Sequence, residues 1–225
     1  MRRASTTGAP DGARALSSLC DAYWYPLYAF VRRSGKNSHD AEDLVQGFFA
    51  RVLEKNVLMH ADERKGKFRT FLLACLRHYL SDERDRAGAQ KRGAGVLSSF
   101  DSITAEERYA AEPPDDQTPD ILFQRRWALA ILEHTLRLVR EKYANQGKTE
   151  VFEALRPFLG FGVEPEKDYQ QVATALGLAV GTVKSEVFRL RHRWRDLLFE
   201  EVGRTLDNPT PDDIKAELRE LIGAV

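Results

Sequence analysis

Nine basic side chains lie between Arg64 and Arg92 (Arg64, Lys65, Lys67, Arg69, Arg77, Arg84, Arg86, Lys91 and Arg92), against three acids, Asp82, Glu83 and Asp85. A second block, Lys184, Arg189, Arg191, Arg193 and Arg195, faces only Glu186 between positions 184 and 195. Cations at this density suit phosphate, which they hold by charge-assisted hydrogen bonds, and such contacts carry the sequence-independent part of nucleic-acid affinity. Between the two blocks, Asp101 to Asp120 holds seven acids and one base, Arg108. The formal net charge of zero therefore conceals two basic islands and an acidic bridge. That pattern points to nucleic-acid contact at two places; the plainer reading of each run is a solvated helix face.

Catalytic chemistry has little to work with. The five histidines are scattered, and no His-x-x-His, His-Glu-x-x-His, Gly-x-Ser-x-Gly or Gly-rich phosphate loop occurs. Cys20 and Cys75 sit in apolar helical patterns without a second ligand at metal spacing, so both read as core thiols and neither a disulfide framework nor a metal site is expected. With 43% hydrophobic and 30% charged residues, the chain has enough apolar material for real cores, which excludes disorder throughout. No apolar run approaches the roughly 18 residues of a membrane span, and Met1 to Ser5 leads into polar sequence instead of a secretory h-region.

The elements that must position the charges are helical. Leu16, Leu19, Tyr23, Leu27, Phe30 and Val31 recur at three- and four-residue steps, with Pro26 expected to bend or restart that helix. After the turn signal Ser34 to Asn37, a second helix opens on a cap at Asn37 or Ser38, with Asp40, Glu42 and Asp43 where the helix dipole favours acids. Its pairs Leu44/Val45, Phe48/Phe49 and Val52/Leu53 form one buried stripe. A third helix begins near Lys67 and runs through Leu80 to end before Gly88. From Gly88 to about Asp120 the periodicity fails and Gly, Ser and Pro accumulate, which reads as a tether. Helical pattern resumes at Ile121, and a helix from Val151 to Leu159 carries Pro157. Asp168 to Gly177 and Thr182 to Phe199 then form a short and a long helix joined by a tight turn. In that unit Ala173 permits close approach, Gly177 allows the left-handed turn, and Leu178 and Val183 fill the angle. Thr182, Lys184, Ser185, Phe188, Arg189 and Arg191 face outward toward a DNA groove or its phosphates.

The stretch Asp168 to Trp194, DYQQVATALGLAVGTVKSEVFRLRHRW, resembles the −35-binding module of sigma-70-type RNA polymerase sigma factors, most closely the small extracytoplasmic-function (ECF) class. Asp40-Ala41-Glu42-Asp43-Leu44-Val45-Gln46 with Phe48-Phe49 resembles the segment of the first sigma domain that docks on the polymerase clamp, and Lys67-Phe68-Arg69-Thr70-Phe71-Leu72 through Arg86 is similar to the helix that recognises and opens the −10 element. The resemblance implies an all-α, non-enzymatic transcription initiation factor, cytoplasmic and without cofactor, whose partners are core RNA polymerase, promoter DNA and a regulator such as an anti-sigma factor. It assigns polymerase docking to Asp40, Glu42, Asp43, Leu44 and Gln46. It assigns −10 contacts to Lys67, Phe68, Arg69, Arg77, His78, Arg84 and Arg86, with Phe68, His78 or Tyr79 lining a pocket for unstacked bases. Contacts at −35 fall to Thr182, Lys184, Ser185, Phe188, Arg189 and Arg191. The expected organisation is a flexible N-terminus (1–14), a region 2-like domain (15–100), a flexible acidic linker (101–120), a region 4-like helix-turn-helix domain (121–204) and a C-terminal extension (205–225).

The chain departs from the family pattern at four places. Ala179-Val180 stands where a side-chain cap is usual, at a cost of about 1 kcal/mol. Glu186 replaces a common basic residue, Gly47 replaces a common acid, and Tyr143 to Lys167 is long and irregular. Beyond residue 205, Pro209 and Pro211 precede an amphipathic helix, and across the whole tail five acids outnumber two bases. This tail is expected either to shield a DNA-binding face or to pack on its own domain. Two rival readings remain: a helix-turn-helix regulator that binds DNA without polymerase, and a degenerate sigma-like interaction protein.

Overall fold

A computed structural model describes residues 23–54, 67–87, 102–112, 117–160, 168–206 and 208–224. Every element of regular structure among them is helical, as the periodicity predicts: α1 (23–33), α2 (Ser38–Glu54), α3 (Phe68–Ala87), α4 (Ser102–Ala110), α5 (Pro119–Ala144), α6 (Thr149–Leu155), α7 (Tyr169–Leu176), α8 (Val180–Gly203) and α9 (Pro211–Gly223). The helices divide into two units. One comprises Met1–Ala130 with Val202–Val225, the other Ile131–Glu201.

Unit 1 is built on aromatic burial. Tyr23, Leu27, Tyr28 and Phe30 of α1, Val45, Phe48 and Phe49 of α2, Leu72 and Leu76 of α3, and Leu122, Phe123 and Trp127 of α5 are all buried. Tyr23 sets its ring edge-on to Phe68, with centroids 5.4 Å apart, and lies 6.1 Å from Trp127. The described part of α1 runs without a break across Pro26. α2 packs on both α3 and α4.

Gly47 makes the α2–α3 approach possible. A Cβ there would collide with the Tyr79 hydroxyl, so the acid common at this position in the resembled family has no room. Gly47→Ala is expected to destabilise the chain by about 1–3 kcal/mol through overpacking, with Tyr79→Phe recovering part of the loss. Urea unfolding of the two single variants and the double variant measures it; equal midpoints for Gly47→Ala and the unsubstituted chain would refute the close approach.

The acidic bridge departs from the expected tether wherever it is described. α4 is a helix, and a carboxylate on it and another just after it dock on α1: Tyr28 Oη donates to Glu106 (2.6 Å), Arg32 pairs with Glu106 through two nitrogens (2.9 and 2.6 Å), and Tyr25 Oη donates to Glu112 (2.7 Å), which also pairs with Arg126. The Arg32 hydrogen bond holds the Glu106 carboxyl below its ordinary range, against the opposing effect of desolvation. Long-range charge pairing orders a segment whose local sequence lacks an apolar stripe. α5 also starts earlier than predicted: the Thr118 hydroxyl accepts from Ile121 N–H (3.3 Å), and Pro119 occupies the first turn, where its missing N–H costs nothing.

Unit 2 has its own core of Val139, Tyr143, Phe152, Leu155, Phe158, Val172, Ala173, Val183, Val187, Leu190 and Leu197. Pro157 ends α6 by converting it into a 3-10 turn, Arg156–Leu159, closed by Gly160 at φ 87°. The boundaries differ from the expected 121–204: residues up to Ala130 and from Val202 onward belong to unit 1. The C-terminal extension therefore joins the first unit and not the adjoining second one.

Candidate nucleic-acid interfaces

Three surfaces carry the side chains singled out by sequence. The first is the start of α2. Asn37 is the cap: its Oδ1 accepts from Asp40 N–H (2.8 Å), and its Nδ2 donates to the Asp40 carboxylate (2.9 Å). Gln46 donates to Glu42 (3.1 Å), and His39 lies 3.6 Å from Asp43. Asp40 and Asp43 are exposed, Glu42, Leu44 and Gln46 are half-buried, and Val45 and Phe48 complete the core beneath. The acids thus stand at the start of the helix and present a carboxylate rim around a partly exposed leucine. Arg51 ties the far end of α2 to Asp82 on α3 (2.7 Å).

The second surface is α3, and its cations divide into two groups. At the C-terminal end Arg84 and Arg86 are exposed; Arg86 pairs with Glu83 on its own helix (2.8 Å), and Arg84 lies 4.0 Å from Asp85. His78 is exposed, and Arg77 pairs with Asp120 of α5. At the N-terminal end the arrangement is different. Arg69 is 2% exposed, stacked 4.9 Å over Trp127, hydrogen-bonded to Gln124, and ion-paired with Glu217 and with Glu220 (2.7 Å) of α9. Lys67 pairs with the same two glutamates, at 2.8 Å for Glu217. Phe68 is buried against Tyr23 and Phe71. Tyr79 is half-buried between Gly47 and Phe48, and that burial pushes its phenol up to about 12. Of the three aromatic candidates for a base pocket, only His78 faces solvent. Sequence reasoning missed Glu217, Glu220 and Gln124 as partners of the basic helix; the excess of acids in the tail was the available signal.

The third surface belongs to unit 2. Asp168 and Gln171 form a reciprocal capping box at the start of α7, with Gln171 N–H donating to Asp168 at 2.8 Å. Gly177 closes α7 at φ 63°, and Leu178 N–H returns to the Ala173 carbonyl at 2.9 Å. A three-residue turn leads to α8, where the N–H groups of Thr182 and Val183 donate to the Ala179 carbonyl. Val183 and Ala173 are buried as expected, whereas Leu178 is 38% exposed and does not fill the angle. Thr182, Lys184, Ser185, Phe188 and Arg189 share the exposed face. Phe188 is 64% exposed, edge-on to His192 at 4.3 Å. Two members of the expected set are engaged internally: Arg189 lies 3.4 Å from Glu186, and Arg191 donates twice to the Phe158 carbonyl (3.0 and 2.6 Å), bracing the 3-10 turn.

Among the described residues no His, Cys, Asp and Glu group has metal-binding geometry, and no described helix is long and apolar enough to cross a membrane. Residues 20–90 match the family model for sigma-70 region 2, which covers α1, α2 and α3 with their acidic and basic surfaces. No curated protein and no solved structure matches the chain.

Proposed function

We propose that the chain, whose residues 20–90 match the sigma-70 region 2 model, is a sigma-70-type sigma factor of the ECF class, acting in the cytoplasm, that docks on core RNA polymerase through α2, engages the −10 element through α3 and contacts −35 DNA through α8. The carrying observation is the coincidence of the matched segment with a carboxylate rim, Asp40, Glu42 and Asp43, set around Leu44 and Gln46 on a rigidly backed helix. Such a rim is complementary to a basic partner surface, and its charges steer association as well as hold it.

No group transfer is required of the protein. Promoter opening needs cations for the backbone and surfaces for bases that leave the stack. Arg77, Arg84 and Arg86, all exposed, supply the first on the open part of α3, Arg77 by giving up Asp120 and Arg86 by giving up Glu83, with His78 beside them; Lys67 and Arg69 join them only where α9 is displaced. On α8, Thr182, Lys184, Ser185 and Phe188 form the −35 face, Phe188 offering an apolar contact of the kind that reads a thymine methyl. The Glu186–Arg189 pair and the inward use of Arg191 leave this face with fewer available cations than its sequence suggests. They favour, as second reading, a protein that docks on polymerase with little contribution from −35 DNA.

Gel filtration with core RNA polymerase and run-off transcription test the proposal. The native chain is expected to co-elute and to initiate from a defined start site. Asp40→Ala/Glu42→Ala/Asp43→Ala is expected to lose both activities by at least tenfold while keeping its fold. Co-elution without initiation would favour the docking-only reading, and duplex binding without any affinity for polymerase would replace the proposal with a DNA-binding regulator.

A further inference from the structure

The N-terminal end of α3 concentrates positive charge. The first turn of a helix exposes unpaired N–H groups and the positive end of the dipole. α3 has no acid in its first turn, and Lys67 and Arg69 add two cations there. The anions come from the tail. Glu217 and Glu220 stand three residues apart, hence on one helix face, and each pairs with both Lys67 and Arg69. Lys67 and Arg69 hold the Glu220 carboxyl below its ordinary range.

The docking combines a small apolar contact with ion pairs. α9 buries two apolar side chains, Ile214 and Leu221, and one carboxylate, Glu217, while Ile222 is 66% exposed. A 13-residue helix is marginal alone. A buried ion pair returns little more than its desolvation cost. The segment leading into α9 contains Asn208 at φ 38°, a conformation that non-glycine residues rarely adopt. The root of the segment is tied by Phe68 N–H donating to the Thr205 carbonyl (3.1 Å), a bond that satisfies one of the otherwise unpaired donors of α3. A helix docked in this way is weakly held, and a competing anion for Lys67 and Arg69 removes the contacts that fix its register.

We propose that α9 is a built-in competitor of DNA phosphate: its carboxylates occupy Lys67 and Arg69 in the isolated chain, and a DNA strand entering along α3 displaces it. The proposal rests on reading α3 as the DNA-contacting helix. It adds a control that the matched region 2 segment does not contain, since the competing groups lie at positions 217 and 220.

Fluorescence anisotropy of the full chain with random-sequence single-stranded 20-mers tests it. Glu217→Gln/Glu220→Gln is expected to bind at least tenfold tighter than the unsubstituted chain at low salt. Two released cations should also steepen the dependence of log affinity on log salt by about 1.4, at roughly 0.7 per phosphate. Adding Lys67→Ala/Arg69→Ala to that variant should remove the gain. Equal affinity and slope for the native chain and the glutamine variant would overturn the proposal. If the variant loses its circular-dichroism helix signal, hydrogen exchange on the native chain decides: saturating 20-mer should speed exchange across residues 211–223, and unchanged protection with DNA bound would overturn it. Co-elution with core polymerase, run in parallel, separates the premises. Equal slopes with polymerase binding intact sink the competitor alone, whereas absent polymerase binding sinks the sigma reading beneath it.

Discussion

The Arg69→Ala chain is expected to lose amide protection along α9 while α2 and α5 keep theirs. The substitution leaves Glu217, itself 2% exposed, as a buried carboxylate without its main partner, and breaking one side of such a pair costs about 3–5 kcal/mol. That is comparable to what burial of Ile214 and Leu221 supplies, at roughly 1.5–3 kcal/mol each, and the ordering cost of the helix tips the balance toward release. The cheaper response is for α9 to leave and hydrate Glu217. Arg69→Met/Glu217→Leu, which replaces the pair by apolar groups of similar length, is expected to restore protection. Hydrogen exchange with mass spectrometry resolves the tail from the rest of unit 1. Full protection of residues 211–223 in Arg69→Ala would show that the pair does not hold the tail.

Trp127→Ala is expected to cost about 3–5 kcal/mol in unit 1. Its side chain is fully buried, faces Tyr23 on one side and carries the Arg69 guanidinium 4.9 Å away on another. Loss of the indole therefore opens a cavity and also removes a cation–π contact from Arg69, so the change should be non-additive with Arg69→Ala. Urea unfolding of both single variants and the double variant gives the coupling. A loss below about 1 kcal/mol for Trp127→Ala would mean that the start of α5 does not depend on this ring.

The parts of the fold legible in the sequence are those governed by short-range rules. The apolar stripe of α2, the Asn37 cap, the Gly177 turn and the burial of Val183 all follow from residues within one or two turns of each other. The misread parts are those where one charge answers another far away. The segment around Glu106 has acids but no apolar period and looks like a tether, because Tyr28 and Arg32, which order it, lie more than seventy residues earlier. Arg69 looks like a phosphate contact for the same reason. Its carboxylates lie about 150 residues downstream, and nothing near position 69 announces them. On the candidate surfaces, residue type was readable and availability was not: Arg191 has the composition of a DNA contact, yet its hydrogen bonds go to the Phe158 carbonyl.

The placement of α9 also sets an order in time. Arg69 leaves the ribosome ahead of Glu217 by 148 positions (217 minus 69), which at ordinary elongation rates is roughly 7–30 s. Throughout that interval α3 is present while its acidic cover has yet to be translated. Each newly made molecule thus passes through an open form before it reaches the closed one, and polymerase or DNA close to the site of synthesis meets the open form first.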